Sequence, residues 1–321
     1  MNIFKKRENL LPYEYPHLLK FKDAIRHSYW LHTEVNLTSD LQDFKVNISD
    51  VEKVIITRTM LAISQIEVSV KLFWGDLYKR MPKPEIAALG FTHAEDEIRH
   101  QDSYSFLLQT LGLQDEFTHI HEVPAIRDRM KYLNKYMGKK DNKEFIKSVL
   151  LFSVFVENVS LFSQFLIMMS FNRYKNQFKG ISNLVEWTSK DEAIHAETGL
   201  AIIDIVRNEN PDWFNDELNE ELIQLCNKAF KSELKILDWI FEKGELDFLP
   251  KDVIIEFIKN RFNSSMVSAG IGTIFDTNKD LLEKSKWFEV ELTSTKEGDF
   301  FDKRQIDYTK FTESITEDDI F

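Results

Sequence analysis

Two short motifs of the same form stand out in the chain. Residues 96–100 read Asp-Glu-Ile-Arg-His and residues 191–195 read Asp-Glu-Ala-Ile-His, so both are D-E-x-x-H. One Glu-x-x-His is expected by chance in a chain with 8 histidines, but two copies that both carry the preceding Asp are not. Glu and His three positions apart project from one face of a helix, so both can bind the same metal ion. The motifs therefore predict four metal ligands: Glu97, His100, Glu192 and His195.

A site for two metal ions in a helical bundle needs one more carboxylate from each of the other two central helices. Glu67 and Glu157 are acids within strongly apolar segments, Leu-Ala-Ile-Ser-Gln-Ile-Glu-Val-Ser-Val and Phe-Ser-Val-Phe-Val-Glu-Asn-Val-Ser-Leu-Phe. Ionised glutamates are rarely buried without a partner, and four carboxylates balance the charge of two divalent cations. We expect both glutamates to complete the ligand set; the alternative is that each pairs with a buried Arg or Lys.

The types of these residues narrow the choice of metal. Mixed carboxylate and imidazole ligands suit iron and manganese, whereas zinc-thiolate and iron–sulfur sites need several cysteines. The chain has one cysteine, Cys226, so no intramolecular disulfide forms and a reducing cytoplasm is the expected location. We expect the nearby polar residues His93, Glu95 and Asp96 to support the ligands, to pack or to face solvent, and not to bind metal.

Long helices must position the ligands. Gly (10) and Pro (7) are scarce for 321 residues, which favours long helices over many short strands. Ser49 or Asp50 can cap the second helix, and Pro84 stands where a first-turn proline is tolerated. Apolar periodicity and these boundary signals predict an all-α bundle with helices at 16–33, 49–79, 84–113, 123–138, 142–172, 175–208, 214–243 and 250–270.

Composition and charge exclude several classes of protein. The net charge of −12 argues against a nucleic-acid-binding surface. The N-terminal segment, Met1 to Leu11, lacks the apolar core of a signal peptide. No stretch of 18 apolar residues lacks charge, so we expect no membrane span. The most apolar segment, 145–171, contains Lys147 and Glu157, a pattern typical of a helix at the centre of a bundle.

The character of the sequence changes after about Asn278. The chain loses helical periodicity there and ends in Thr-Glu-Ser-Ile-Thr-Glu-Asp-Asp-Ile-Phe, where acids alternate with apolar Ile315, Ile320 and Phe321. We expect residues 1–278 to form a metal-binding helical domain and residues 279–321 to form a mobile acidic tail. The alternative for the tail is simple fraying of a chain terminus.

With their surroundings, these residues resemble the small (beta) subunit of class I ribonucleotide reductase over most of the chain. Tyr104 lies four residues after His100, where many members carry a tyrosyl radical. Residues 190–195 are similar to the family's second ligand helix, and Ser-Tyr-Trp at 28–30 is similar to the segment that holds its radical-transfer tryptophan. Phe-Phe-Asp-Lys-Arg at 300–304, followed by Tyr308, is similar to the tail segment with its interface tyrosine.

The resemblance implies a ferritin-like fold, a homodimer and a large (alpha) subunit as partner. It implies that the chain makes a one-electron oxidant with which the large subunit reduces ribonucleotides to deoxyribonucleotides for DNA replication. At the positions that match the family's motifs, the resemblance implies that the electron and proton are relayed by Trp30, Asp191 and Tyr308. The ligands carried over from the family are the same six residues: Glu67, Glu97, His100, Glu157, Glu192 and His195.

One departure from the family pattern concerns the choice of metal. The first ligand is usually Asp in members with a tyrosyl radical, whereas this chain has Glu67 and, one turn later, Lys71. Lys71 is either a surface lysine or a partner of a ligand carboxylate, or else a cation that holds Tyr104 or a ligand and attracts an anionic oxidant such as superoxide. Together with the retained Tyr104, these residues resemble the dimanganese (class Id) subgroup. We therefore expect manganese at both positions, with Fe/Fe or Mn/Fe as alternatives, and the oxidising equivalent on the metals.

Two other functions are compatible with the same ligand pattern. An oxygen-dependent hydroxylase or oxidase on this fold needs a substrate cavity beside the metals and has no use for Trp30 or Tyr308. An iron-storage protein is the second alternative, and it leaves the acidic tail without a role.

Overall fold

The arrangement of helices follows the predicted boundaries closely. The structure is a computed structural model that describes residues 1–134 and 141–298. Within those residues the chain forms α1 (Leu19–His27), α2 (Thr38–Gln42), α3 (Asp50–Arg80), α4 (Pro84–Leu111), α5 (Gln114–Thr118), α6 (Pro124–Asn134), α7 (Asn142–Leu150), α8 (Phe162–Lys175), α9 (Lys179–Glu209), α10 (Asp216–Ile240), α11 (Lys251–Ser268), α12 (Lys279–Glu283) and α13 (Lys286–Gly298). These ranges contain no strand, which confirms the all-α fold.

Local sequence explains where the long helices begin. The Ser49 hydroxyl accepts a hydrogen bond from the Glu52 main-chain N–H, while the Glu52 carboxylate accepts one from Ser49 N–H, so α3 starts with a capping box. Pro84 occupies the first turn of α4. The Asp141 carboxylate accepts from the main-chain N–H groups of the first residues of α7. The predicted first helix, by contrast, ends early at His27, and the chain then turns so that Trp30 reaches into the bundle.

The central helix is continuous from Asn142 to Lys175, but its middle is not α-helical. Residues Leu151–Ser160 form a π-helical segment between α7 and α8. A Cβ at Gly199 of α9 would lie 1.6 Å from the Ser153 hydroxyl, so only glycine lets α9 approach the π segment this closely. Among the described residues this is the one helix long and apolar enough to cross a membrane, yet 89% of its most apolar window is buried, so it is a core helix.

The expected loss of helix after Asn278 is wrong for residues 279–298. Helices α12 and α13 form there, and Phe288 is fully buried with its ring edge-on to Phe162 and Phe257. Arg261 of α11 donates a hydrogen bond of 2.7 Å to the Glu289 carboxylate of α13. An aromatic anchor and an ion pair therefore hold α13 on the bundle. The rest of the expected tail, residues 299–321, lies outside the described residues.

Candidate metal centre

Four helical segments bring six buried ligand side chains to one place. Glu67 comes from α3, Glu97 and His100 come from α4, Glu157 comes from the π segment, and Glu192 and His195 come from α9. Each of the six side chains is at most 1% exposed. These are the six residues that the sequence predicts as ligands, and the bundle places all of them together.

The six residues form two overlapping sets. In one, ligand atoms of Glu67, Glu97, His100 and Glu192 lie within 4.8 Å of one another, and in the other the same holds for Glu97, Glu157, Glu192 and His195. Glu97 and Glu192 belong to both sets, so both metal positions would share them. The remaining residues give each position one terminal carboxylate and one imidazole, the pattern of a dinuclear carboxylate centre.

The two histidines point their Nδ1 atoms at the shared carboxylates. His195 Nδ1 lies 2.9 Å from Glu97 Oε1 and 3.2 Å from Glu192 Oε2. His100 Nδ1 lies 3.2 Å from Glu192 Oε1 and 3.5 Å from Glu97 Oε2. The Nδ1 atoms therefore face the place where ions would bind, and the Nε2 atoms face away from it.

The aspartate of each motif supports the histidine of the other motif. His195 Nε2 lies 3.0 Å from Asp96 Oδ2, and His100 Nε2 lies 3.3 Å from Asp191 Oδ2. A carboxylate that accepts the Nε2 proton leaves Nδ1 free as a metal ligand and fixes the orientation of the ring. This crossed pairing explains why both copies of the motif carry Asp before Glu, and Asp96 is a supporting residue, as expected.

Burial and neighbouring charge raise the pKa values of four groups in the cluster. Burial, reinforced by the neighbouring carboxylates, raises the pKa of Glu157 well above its usual range, and burial likewise raises the pKa of Glu67. Burial alone would lower the pKa values of His100 and His195, but the acids around both rings outweigh it and raise them. These buried groups therefore hold protons that metal cations would replace.

The unpaired atoms of the cluster fit a pair of metal ions. A buried polar atom without a partner costs about 1–3 kcal/mol, so a group of them in one place points to missing ligands. Seven atoms here make no hydrogen bond of ordinary geometry with the described residues, although the histidine Nδ1 atoms lie close to oxygens of Glu97 and Glu192. They are both carboxylate oxygens of Glu67 and of Glu97, His100 Nδ1, Glu157 Oε2 and Glu192 Oε1. Hard carboxylate oxygens and two imidazoles are donors that iron and manganese accept.

A hydrogen-bonded path leads from His100 towards the surface. Trp30 Nε1 donates to Asp191 Oδ2 over 2.8 Å, and the same oxygen lies beside His100 Nε2. The Trp30 and His100 rings also stack, with centroids 5.9 Å apart and planes at 18°. Trp30 is only 5% exposed, whereas the adjacent Tyr29 is 51% exposed. Tyr308 lies outside the described residues.

Tyr104 lies beside the cluster without a strong partner. The side chain is 1% exposed, and its hydroxyl makes no hydrogen bond of ordinary geometry with the described residues. Burial, and next the neighbouring Glu67, raise the pKa of the phenol. Tyr104 is therefore held as a neutral phenol.

Lys71 turns away from the carboxylates. Its ammonium donates to the Glu67 main-chain carbonyl over 3.0 Å, to the Val68 carbonyl over 3.2 Å and to Gln101 Oε1 over 2.5 Å. It stabilises the backbone of the ligand helix and ties α3 to α4. In this structure it bonds neither the Tyr104 hydroxyl nor a ligand carboxylate among the described residues.

Three further contacts were not foreseen from sequence. Trp74 Nε1 donates to Glu157 Oε1 over 3.0 Å, and Arg99 pairs with Asp96. The buried His93 ring donates from Nε2 to the Thr198 hydroxyl, and that hydroxyl donates to a main-chain carbonyl. Burial lowers the pKa of His93. His93 is thus a packed, neutral histidine, as expected. The roles of Trp74 and Arg99 could not be predicted from sequence, because neither residue occupies a position that is repeated in the two motifs.

Comparison with known proteins agrees with this geometry. The model of the family described as "Ribonucleotide reductase, small chain" matches residues 7–281. The chain is 23% identical to a probable ribonucleoside-diphosphate reductase small subunit of Invertebrate iridescent virus 3, over 97% of this chain and 86% of that protein. It is 24% identical to the ribonucleoside-diphosphate reductase subunit beta of Chlamydia pneumoniae, over 90% of this chain and 88% of that protein.

A solved structure shares the fold. The ribonucleotide reductase R2 subunit from Clostridium botulinum superposes with a TM-score of 0.78 at 19% identity, covering 87% of this chain and 89% of that one. The family match spans most of the chain and includes all six clustered ligands. The chain therefore belongs to the small-chain family of ribonucleotide reductase, an oxidoreductase family whose role implies a dinuclear metal centre and a large-subunit partner.

Proposed function

We propose that this chain generates a one-electron oxidant at a dinuclear metal centre and passes it to the large subunit of a ribonucleoside-diphosphate reductase. The observation that carries the proposal is the connection of two overlapping ligand sets to Trp30 through His100 and Asp191. A hydroxylase or an iron-storage protein has no use for such a path. Membership of the reductase family also does not favour those alternatives.

Glu67, Glu97, His100, Glu157, Glu192 and His195 would hold the two ions. Bound redox metals would supply the one-electron oxidant itself. The residues around them supply orientation and proton control. Asp96 and Asp191 keep the histidines in the metal-binding tautomer, and Asp191 Oδ2 is placed to accept the Nε1 proton of Trp30 when that ring is oxidised.

The proposed native metal is manganese at both positions. Glu67 stands where an aspartate is usual in tyrosyl-radical members, and its extra methylene changes the reach of the carboxylate. Iron at both positions, or one manganese with one iron, are the alternatives. Metal analysis of protein from its native host, combined with electron paramagnetic resonance, tests this choice: two irons and no manganese per chain would refute it.

The proposed store of the oxidising equivalent is the metal pair. The buried Tyr104 phenol has a raised pKa and no carboxylate bonded to it to accept its proton among the described residues, so removing its electron and proton together is unfavourable. Lys71 adds positive charge near Glu67 through its bond to the main-chain carbonyl. The same cation would attract an anionic oxidant, so superoxide is the proposed activator.

The proposed docking element is the C-terminal segment that follows α13. Tyr308 would carry the oxidant across the interface, and Ile320, Phe321 and the acids beside them would bind the large subunit. Removing the last ten or so residues should abolish subunit binding without changing metal content. Unchanged affinity of the truncated chain for the large subunit would refute this role.

The proposed assembly is a homodimer in the cytoplasm. Four large apolar side chains lie exposed on α3 and α4, which pack side by side: Val68 (47%), Leu72 (59%), Phe91 (58%) and Ile98 (47%). Exposed apolar side chains on neighbouring helices are candidates for an interface, so these residues are the proposed contact between two copies.

Reconstitution tests the function as a whole. The metal-loaded chain mixed with a class I large subunit should reduce ribonucleoside diphosphates, and Glu97→Ala or Glu192→Ala should lose at least one metal ion and all reduction. Full occupancy of both positions in these variants, measured by elemental analysis, would rule out the ligand assignment.

A further inference from the structure

One buried arginine links the C-terminal helix to the residue beside a metal ligand. Arg261 of α11 is 9% exposed. Its Nε donates to the Asn158 main-chain carbonyl over 2.6 Å, and its Nη2 donates to Asn158 Oδ1 over 2.7 Å. Its Nη1 donates to Glu289 Oε1 of α13 over 2.7 Å. All three nitrogens of the guanidinium are therefore used, two on the π segment and one on α13.

Asn158 is held on a second side. Its Nδ2 donates to the Ser265 hydroxyl of α11 over 2.7 Å. The Arg261 guanidinium also lies 3.6 Å from the centroid of the Phe162 ring, the residue that begins α8. Charge-assisted two-pronged bonds of this kind fix geometry more strictly than a single neutral bond. The backbone on the C-terminal side of Glu157 is thus clamped where the helix returns from π to α spacing.

We propose that Arg261 is a positioning residue, which fixes the π segment so that Glu157 reaches the metal position that it shares with His195. Helix α13 controls the position of Arg261 through Glu289. The proposal deepens the proposed function and rests on it, because it names a regulation of the same metal centre. π-helical turns often carry functional residues, because one extra residue per turn re-aims a side chain. Residues that orient a metal ligand without touching the ion change metal affinity.

The direction of control follows from charge. Arg261 is a buried cation that forms an ion pair with Glu289, whose side chain is 42% exposed. If α13 moves away, the guanidinium loses that anion, and a buried charge without its partner is costly. The arginine must then shift towards water, which breaks its bonds to Asn158. Because α13 leads directly into the proposed docking segment, metal binding at the Glu157 position and docking of that segment would influence each other reciprocally.

Metal titration of the full-length chain separates this role from simple stabilisation. The probe is Mn²⁺, followed by electron paramagnetic resonance, with occupancy of each position read from manganese anomalous scattering in crystals. Arg261→Met should weaken the Glu157–His195 position by about 10–100-fold, the usual cost of losing a residue that orients a ligand. The Glu67–His100 position should keep its affinity to within about threefold.

Graded variants keep the test informative if Arg261→Met fails to fold. Arg261→Lys keeps the charge but not the two-pronged contact, so it should weaken the same position. Glu289→Gln should do so by a smaller factor. The matched control is Arg207→Met, since Arg207 also bonds one main-chain carbonyl, of Ala269, and one carboxylate, of Asp204.

The result that would overturn the proposal is equal loss at both positions, or no loss at either, in Arg261→Met and Arg261→Lys. These titrations need no large subunit. An unchanged metal profile therefore refutes the role of Arg261 while the reconstituted reductase assay still passes, and failure of that assay refutes the proposed function by itself.

Discussion

The Nε2 atom of His195 lies 3.0 Å from Oδ2 of Asp96, although the two residues stand 99 positions apart in different copies of the same motif. The reciprocal pair, His100 and Asp191, is 3.3 Å apart. Each copy of the motif therefore supplies two candidate metal ligands to the site and a carboxylate to the histidine of the opposite copy. The two ligand helices depend on each other for the orientation of their histidines.

Asp96→Asn tests this dependence. The amide can present an oxygen to His195 but carries no charge, so we expect metal affinity to fall about 10–100-fold at the position that uses His195. Isothermal titration with Mn²⁺ measures the change. The control is Glu95→Gln, which changes the adjacent, half-exposed carboxylate that pairs with Arg99. Equal affinities for Asp96→Asn and the unsubstituted protein would contradict the supporting role.

Metal binding should release protons. The raised pKa values of Glu67 and Glu157, and of His100 and His195, mean that these groups hold their protons more tightly than usual in the metal-free protein. Since metal binds the deprotonated forms, apparent affinity should rise as pH increases and fall as these groups protonate. Titrations in buffers with different ionisation enthalpies count the protons released. His93→Gln should leave that count unchanged, and affinity independent of pH would refute the prediction.

Tyr104→Phe tests where the oxidising equivalent resides. Because the phenol is buried with a raised pKa, we expect the variant to keep more than about half of the activity and the same paramagnetic signal. Electron paramagnetic resonance of the activated protein decides the matter. A narrow tyrosyl signal that disappears together with activity in Tyr104→Phe would establish a tyrosyl radical instead.

Trp30→Phe and Tyr308→Phe test the relay. Phenylalanine is much harder to oxidise than either residue and has no N–H or O–H proton to give up. The metal centre should assemble normally in both variants, whereas nucleotide reduction should fall by at least about 100-fold, about 2.7 kcal/mol in activation free energy. Tyr308 is the only tyrosine after Tyr174, so no tail neighbour replaces it. Tyr29→Phe, at the exposed neighbour of Trp30, is the control; wild-type turnover in Tyr308→Phe would end the relay assignment.

Leu72→Glu tests the proposed dimer contact. A charge placed within the proposed apolar contact should shift the protein from dimer to monomer, because the carboxylate would be buried without a partner. Analytical ultracentrifugation over a range of concentrations measures the shift. Val267→Glu introduces the same charge at another exposed apolar side chain, on α11, and should leave the mass unchanged. A dimer in both variants would place the interface elsewhere.

The positions of the ligands could be read from the sequence because the chemistry repeats locally. A spacing of three residues puts Glu and His on one helix face whatever the rest of the chain does, and an acid inside an apolar segment needs a cation wherever that segment packs. Helix boundaries followed from Ser49, Pro84 and Asp141 for the same reason. The six candidate ligands and the bundle therefore follow from short-range patterns.

Only the tertiary structure decided how these residues pair. The packing of helices distant in sequence determines which aspartate contacts which histidine. It also determines that Glu97 and Glu192 belong to both metal positions. The direction of Lys71 was equally open, because its long side chain reaches either the cluster or the backbone and Gln101, and packing selects the latter. The close approach of α9 to the π segment at Gly199 and the ion pair between Arg261 and Glu289 are contacts between distant segments, which no local periodicity encodes.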